Sequence, residues 1–323
     1  MARALLLAAL LLAIAALLTA WRASSRAVAA EAAFPPEGAF VEVGGRRVHY
    51  VQRGAGPDLV LIHGASGNSR DMTYRFVDRL TGRYRVTVFD RPGLGYTDRV
   101  AAALANPFAR RGETPTEQAD LLRAAARALE IERPVVLGHS YGGSVAMAWG
   151  LGDPEGTAAI VDVSGATMPW RGPLNWTYRI TEGHVSGAVV PWLVAAWAPE
   201  HLVDRAIAGT FRPHDVPDAY AEQLGAALTV RAPSFRANAR QVNSLLPAVT
   251  AMAPRYPSLT MPLEIVHGDL DTIVGLEIHS RPLAGLVPGA RLTVLPGVGH
   301  MPHHTHPEAV VAAIDRARVR ARL

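Results

Sequence analysis

"PVVLGHSYGG", residues 134–143, sets one serine between closely spaced glycines directly after a run of β-branched residues. Two readings compete. In one, Ser140 is a nucleophile held on a strained strand-to-helix turn, in the spacing Gly138-x-Ser140-x-Gly142. In the other, the stretch is a glycine-rich corner whose serine caps the next helix. Such corners are common, so the ten residues alone do not separate the two. The strained turn would need small neighbours two positions away, where a Cβ would clash. It would lift the hydroxyl clear of the sheet and aim the helix N-terminus, with the Tyr141 amide, at a developing oxyanion.

Working outward, the flanks repeat one pattern. "DLVLIHG" (58–64) and "YRVTVFDRPGLG" (84–95) are apolar runs that end in turns, as expected of strands buried on both faces. "AFVEVGGRRVHYVQRG" reads as a hairpin around Gly44-Gly45. "TPTEQADLLRAAARALEI" carries helical spacing after a Thr114-Pro115 start. "YGGSVAMAWGL" is the next helix and "TAAIVDVSGA" (157–166) the next strand. Strands alternating with helices predict a parallel sheet covered on both sides. From about Met168 to Ser258 the alternation stops, and proline-broken helical stretches carry Trp170, Trp176, Trp192, Trp197, Tyr178, Tyr220 and Phe235. "MPLEIVHGD" (261–269) and "RLTVLPGVGH" (291–300) then resume the sheet.

A serine nucleophile needs a base and a group to orient it. His300 follows the final strand, where a loop can carry it back over the sheet edge. Asp269 and Asp271 follow the strand before. Asp271 has more room to turn toward His300, and Asp269 reads as a brace of that loop. The resulting order Ser140, Asp271, His300 differs from the orders of both serine-protease types. "LIHGASGN" puts a glycine turn after an earlier strand, where a backbone amide can join an oxyanion hole.

With these motifs in view, residues 37 to 320 resemble the α/β-hydrolase family through "HGASGN", "DRPGLGYTD", "GHSYGG", "HGDLDTIV" and "GVGHMPHHTHPEAV". The resemblance implies an α/β fold with an eight-stranded, mostly parallel sheet, its second strand antiparallel, helices on both faces, and a helical cap inserted after strand 6. It implies Ser140 as nucleophile, Asp271 as acid and His300 as base, with the amides of Tyr141 and Ala65, or Ser66, as the oxyanion hole. Serine at the nucleophile position and "HGAS" argue against epoxide hydrolases and haloalkane dehalogenases. The expected activity is hydrolysis of an ester or related acyl bond on a small, apolar acyl substrate, without a cofactor. C–C bond hydrolysis and cofactor-free perhydrolysis use the same three residues. A non-catalytic binding protein would be expected to lack one of them. His63 and His139 read as structural, Asp90 and Arg91 as loop braces, and Asp162 as strand-end packing or an alternative acid. His303, His304 and His306 open the last helix in a form common in this family, so no metal is expected there.

Composition narrows the chemistry further. The chain of 323 residues has no cysteine and no lysine, all 32 basic residues being arginine. That excludes disulfides, thiolate nucleophiles, Schiff bases and a P-loop lysine. The formal charge of +4 forms no basic patch with a nucleic-acid motif, and "RARVRAR" at the end reads as the solvated face of a helix. From Ala4 to Trp21 run eighteen uncharged residues, roughly 27 Å as a helix, enough to cross a hydrocarbon core. The expectation is a single-pass N-terminal membrane anchor. A signal cleaved after "AVA" (27–29), and export, is the alternative. The implied division is an apolar segment at 1–28, a linker at 29–38, a core at 39–166 and 259–323, and a cap at 167–258.

Overall fold

The computed structural model describes residues 1–323. Eight strands form one sheet: β1 (Ala39–Val43), β2 (Arg46–Arg53), β3 (Asp58–Ile62), β4 (Arg85–Phe89), β5 (Val135–His139), β6 (Ala159–Val163), β7 (Leu263–Gly268) and β8 (Arg291–Leu295). Their order is β1-β2-β4-β3-β5-β6-β7-β8. β2 runs antiparallel to β1 and β4, and the pairings from β4 through β3 to β8 are parallel. Alternate residues serve opposite faces. Val60, Ile62 and Val136 pack with the helices Pro115–Ala128 and Tyr141–Gly152. Leu59, Leu61, Val135 and Leu137 pack with the C-terminal helix Pro307–Ala321. This two-sided burial explains why the strands read as continuous apolar runs.

Local signals place the helices. Thr114 Oγ1 accepts from the Glu117 amide at 3.2 Å while Glu117 Oε2 accepts from the Thr114 amide at 2.8 Å, a closed capping box. Between β6 and β7 the chain is helical, with main segments His184–Trp197, Glu200–Phe211, Ala232–Asn243 and Leu245–Met252. Trp170 and Tyr178 pack against the sheet-face core, whereas Trp176 and Trp197 are exposed.

Two expectations are corrected. The N-terminal helix runs unbroken from Ala2 to Ala33, through the first half of the expected linker. "AAEAA" is strongly helix-forming, and this part of the helix is docked. Arg22 Nε donates to the Ala196 carbonyl at 2.7 Å, Arg26 to those of Ala196 and Ala198, and Ala23 and Ala30 are buried. The other correction concerns "RARVRAR". Arg316 and Arg320 bind the two carboxylate oxygens of Glu264, which is fully buried on β7, at 2.9 and 2.8 Å. A buried carboxylate needs such partners. One helix, Ala2–Ala33, is long and apolar enough to cross a membrane, with a mean hydropathy of 2.5 over its most apolar window.

Candidate active site

β5 ends at His139 and the next helix begins at Tyr141, so Ser140 alone makes the turn. Its backbone sits at φ +54°, ψ −119°, a region that costs a residue with a Cβ on the order of 1–3 kcal/mol. Three hydrogen bonds hold it there. The Ser140 amide donates to the Val163 carbonyl at 2.9 Å, and its own carbonyl accepts from Gly143 and Ala166 at 3.0 and 3.1 Å. The flanking glycines are obligatory, since a Cβ at Gly138 would lie 2.1 Å from the Gly142 oxygen and one at Gly142 2.3 Å from the Ile62 oxygen.

The loops after β7 and β8 bring Asp271 and His300 together. His300 Nδ1 donates to Asp271 Oδ2 at 2.7 Å. The other oxygen, Oδ1, accepts from the amides of Ile273 and Val274, each at 2.9 Å. His267 adds a further contact, with Nε2 3.2 Å from Oδ2. His267 is itself oriented by Ser280 Oγ at 2.6 Å and the Val274 carbonyl at 2.8 Å. Burial works against a charged Asp271, but His300, His267 and these amides hold the carboxyl far below its usual range. His300 lies beside the Ser140 turn. Its carbonyl accepts from His139 Nε2 at 2.9 Å, and the two rings are 4.9 Å apart. No hydrogen bond joins His300 to Ser140 in this structure. Such contacts are often long before substrate binds.

Two amides face this turn without partners. Tyr141 is the first residue of its helix, so its amide has no intrahelical acceptor. The Ala65 amide donates no hydrogen bond, and the Cβ of Ser140 would stand 3.1 Å from a Cβ added at the adjacent Gly64. The Ser66 amide differs. It donates to Asn238 Oδ1 at 2.7 Å, which takes Ser66 out of the expected set of free donors.

A buried arginine ties both segments together. Arg91 donates to the Gly64 carbonyl at 3.0 Å and to Gln118 and Gln241 at 2.9 Å each, and its guanidinium lies 4.2 Å from the centre of the Tyr141 ring. With no carboxylate on it, burial pushes its pKa down to about 10. His63 accepts from the Arg91 amide and donates to the Gly64 carbonyl, both at 2.9 Å, a structural role as expected. Asp90 braces its loop by accepting from Ser69, Tyr96 and His49, and Asp269 accepts from the Gly297 amide at 2.7 Å. Asp162 is buried beneath the Ser140 helix with neither oxygen hydrogen-bonded, so it makes no bond to His300. Sequence reasoning missed Asn238, Gln241 and His267. His267, the penultimate residue of a strand that leads into the acidic loop, had a positional signal. Asn238 and Gln241 lie in the helical segment and had none.

A model of the alpha/beta hydrolase family matches residues 59–313. Among similar proteins is a 2-hydroxy-6-oxononadienedioate/2-hydroxy-6-oxononatrienedioate hydrolase of Paraburkholderia phymatum, 27% identical over 81% of this chain and 87% of its own. A pimeloyl-[acyl-carrier protein] methyl ester esterase of Vibrio campbellii is 25% identical over 81% of this chain and 94% of its own. Among solved structures, a membrane phospholipase A superposes with a TM-score of 0.67 at 22% identity, covering 98% of this chain and 99% of its own.

Proposed function

The chain belongs to the alpha/beta hydrolase family and is a hydrolase, and from that premise we propose that it cleaves carboxylic esters through Ser140, His300 and Asp271. The observation that carries this reading is the 2.7 Å bond from His300 Nδ1 to Asp271 Oδ2, beside the strained turn that presents Ser140. Ser140 attacks the acyl carbonyl while His300 takes its proton through Nε2. Asp271 holds the tautomer with the proton on Nδ1 and stabilises the imidazolium. The amides of Tyr141 and Ala65 receive the oxyanion. His300 returns the proton to the leaving alcohol and then activates the water that frees the acid.

The substrate we propose is a small ester with an apolar acyl chain. The helical segment between β6 and β7, read as a cap over residues 167–258, supplies aromatic side chains. The N-terminal helix would hold the enzyme at a lipid surface as a single-pass anchor. Docking of residues 22–33 supports retention over cleavage, because a cut after Ala29 would sever a packed helix. Similarity over nearly the whole chain to a membrane phospholipase A agrees with this placement. Hydrolysis of a carbon–carbon bond beside a ketone is the second reading, favoured by the relative named for an oxo-dienedioate.

Labelling with a fluorophosphonate should mark the wild type and not Ser140→Ala. Labelling that persists in the variant removes Ser140 as nucleophile. A series of p-nitrophenyl esters of increasing chain length should be turned over with a preference for longer acyl groups. Labelling without turnover of any ester would transfer the assignment to the carbon–carbon reading. Carbonate extraction and N-terminal sequencing should find the protein in the membrane fraction with its first thirty residues attached.

A further inference from the structure

A second carboxylate–histidine cluster adjoins His139. Asp71 comes from the helix Ser69–Thr73, and His303 and His304 from the turn Pro302–Thr305 that follows His300. Asp71 Oδ1 is 2.9 Å from His304 Nε2, and Asp71 Oδ2 is 3.5 Å from His303 Nε2. The three ligating atoms all lie within 4.8 Å of one another. The Tyr220 hydroxyl, from the helical segment, donates to Asp71 Oδ1 at 2.7 Å.

His303 is the anomaly that points to a ligand. It is 1% exposed, and neither of its ring nitrogens has a hydrogen-bond partner. A neutral imidazole carries one donor and one acceptor, and leaving either buried without a partner costs about 1–3 kcal/mol. A cation on Nε2 would use the lone pair and leave the proton on Nδ1. The neighbouring His139 ring, 4.3 Å away, has an unpartnered Nδ1 of its own.

We propose that Asp71, His303 and His304 bind one divalent transition-metal ion. Two imidazoles and a carboxylate suit Zn²⁺ in a tetrahedral site. A water or the Tyr220 hydroxyl would complete the shell. Coordination through Nε2 requires the His304 proton to sit on Nδ1. The site joins the helix after β3, the turn after His300 and, through Tyr220, the helical segment. Its role is structural, because none of Asp71, His303 and His304 hydrogen-bonds to the side chain of His300 or Asp271.

The test uses full-length protein without a histidine tag, stripped with dipicolinate, reloaded with Zn²⁺ and desalted before elemental analysis. One equivalent should be retained, zinc should raise the melting temperature, and Co²⁺ should give the visible bands of a four- or five-coordinate site. His304→Ala and Asp71→Asn should each weaken binding roughly a hundredfold or more, with folding checked by circular dichroism. Should His304→Ala fail to fold, the near-isosteric Asp71→Asn carries the comparison. Absence of retained zinc in the folded wild type overturns the proposal. So does an equivalent that neither substitution affects.

Discussion

The pair Asp271–His300 and the pair Asp71–His304 are built from the same two side chains at nearly the same separation, 2.7 and 2.9 Å. They differ in what holds the carboxylate. Asp271 is fixed within its own loop by two amides, and by His267 at the end of the same strand. Asp71 is fixed by side chains from elsewhere, His304 from the far end of the chain and Tyr220 from the helical segment. A carboxylate anchored by its own backbone keeps its place when the rest of the molecule shifts, which suits a group that must hold a histidine through a reaction cycle. A carboxylate held by two distant side chains couples segments to one another. The residue types alone do not separate these uses.

The largest effect expected is on the first pair. Asp271→Asn keeps the shape of the loop but offers Nδ1 of His300 a group that no longer enforces the reactive tautomer. Ester turnover should fall about 10⁴-fold in kcat, read with any ester the wild type accepts. Retention of more than a tenth of wild-type kcat would place the orienting acid elsewhere and erase the contrast between the two pairs.

Asp162 sharpens the contrast as the limiting case, a buried carboxyl with no hydrogen-bond partner. Burial raises its pKa from 3.8 to about 7, with His267 acting in the opposite sense. Between those two values the folded protein holds a proton that the unfolded chain has released. The contribution of Asp162 to stability is therefore greatest near pH 4 and below, falls as pH rises toward 7, and is level above. Asp162→Asn keeps the shape and removes the titration. At pH 8 the variant should be more stable by roughly 2–4 kcal/mol, and near pH 4 the two should match. Chemical denaturation at both pH values checks this, and an equal difference at both would mean that the carboxyl is not the titrating group.

What was legible in the sequence follows the same division. Parallel strands buried on both faces appear as unbroken apolar runs, so the strands and the turns that carry Ser140, Asp271 and His300 could be traced along the chain. The bond between Asp271 and His300 follows from two loops at adjacent strand ends. The use of Ser66's amide by Asn238, the hold of Arg316 and Arg320 on Glu264, and the meeting of Asp71 with His304 depend on where helices settle in space. No local pattern encodes that. The extent of the N-terminal helix lay between these cases. Its alanine-rich stretch favoured helix, but the paired prolines at Pro35 and Pro36 drew the expected boundary too early.

The smallest effect separates the two carboxylates by their anchors. Tyr220 reaches Asp71 from the helical segment and stacks edge-on with Tyr74 and Phe211. Tyr220→Phe retains the ring and its packing and removes only the hydroxyl. One hydrogen bond to a charged acceptor is lost, worth about 1–2 kcal/mol in folding stability by urea denaturation. Asp71 keeps His304, so it is not left without a partner. The bond ties the helical segment to the core, so the loss should also appear as faster amide exchange in residues 220–224, with exchange in β7 unchanged. Equal acceleration in both regions would make Tyr220 a general contributor to stability and dissolve the distinction between an internally anchored carboxylate and a bridging one.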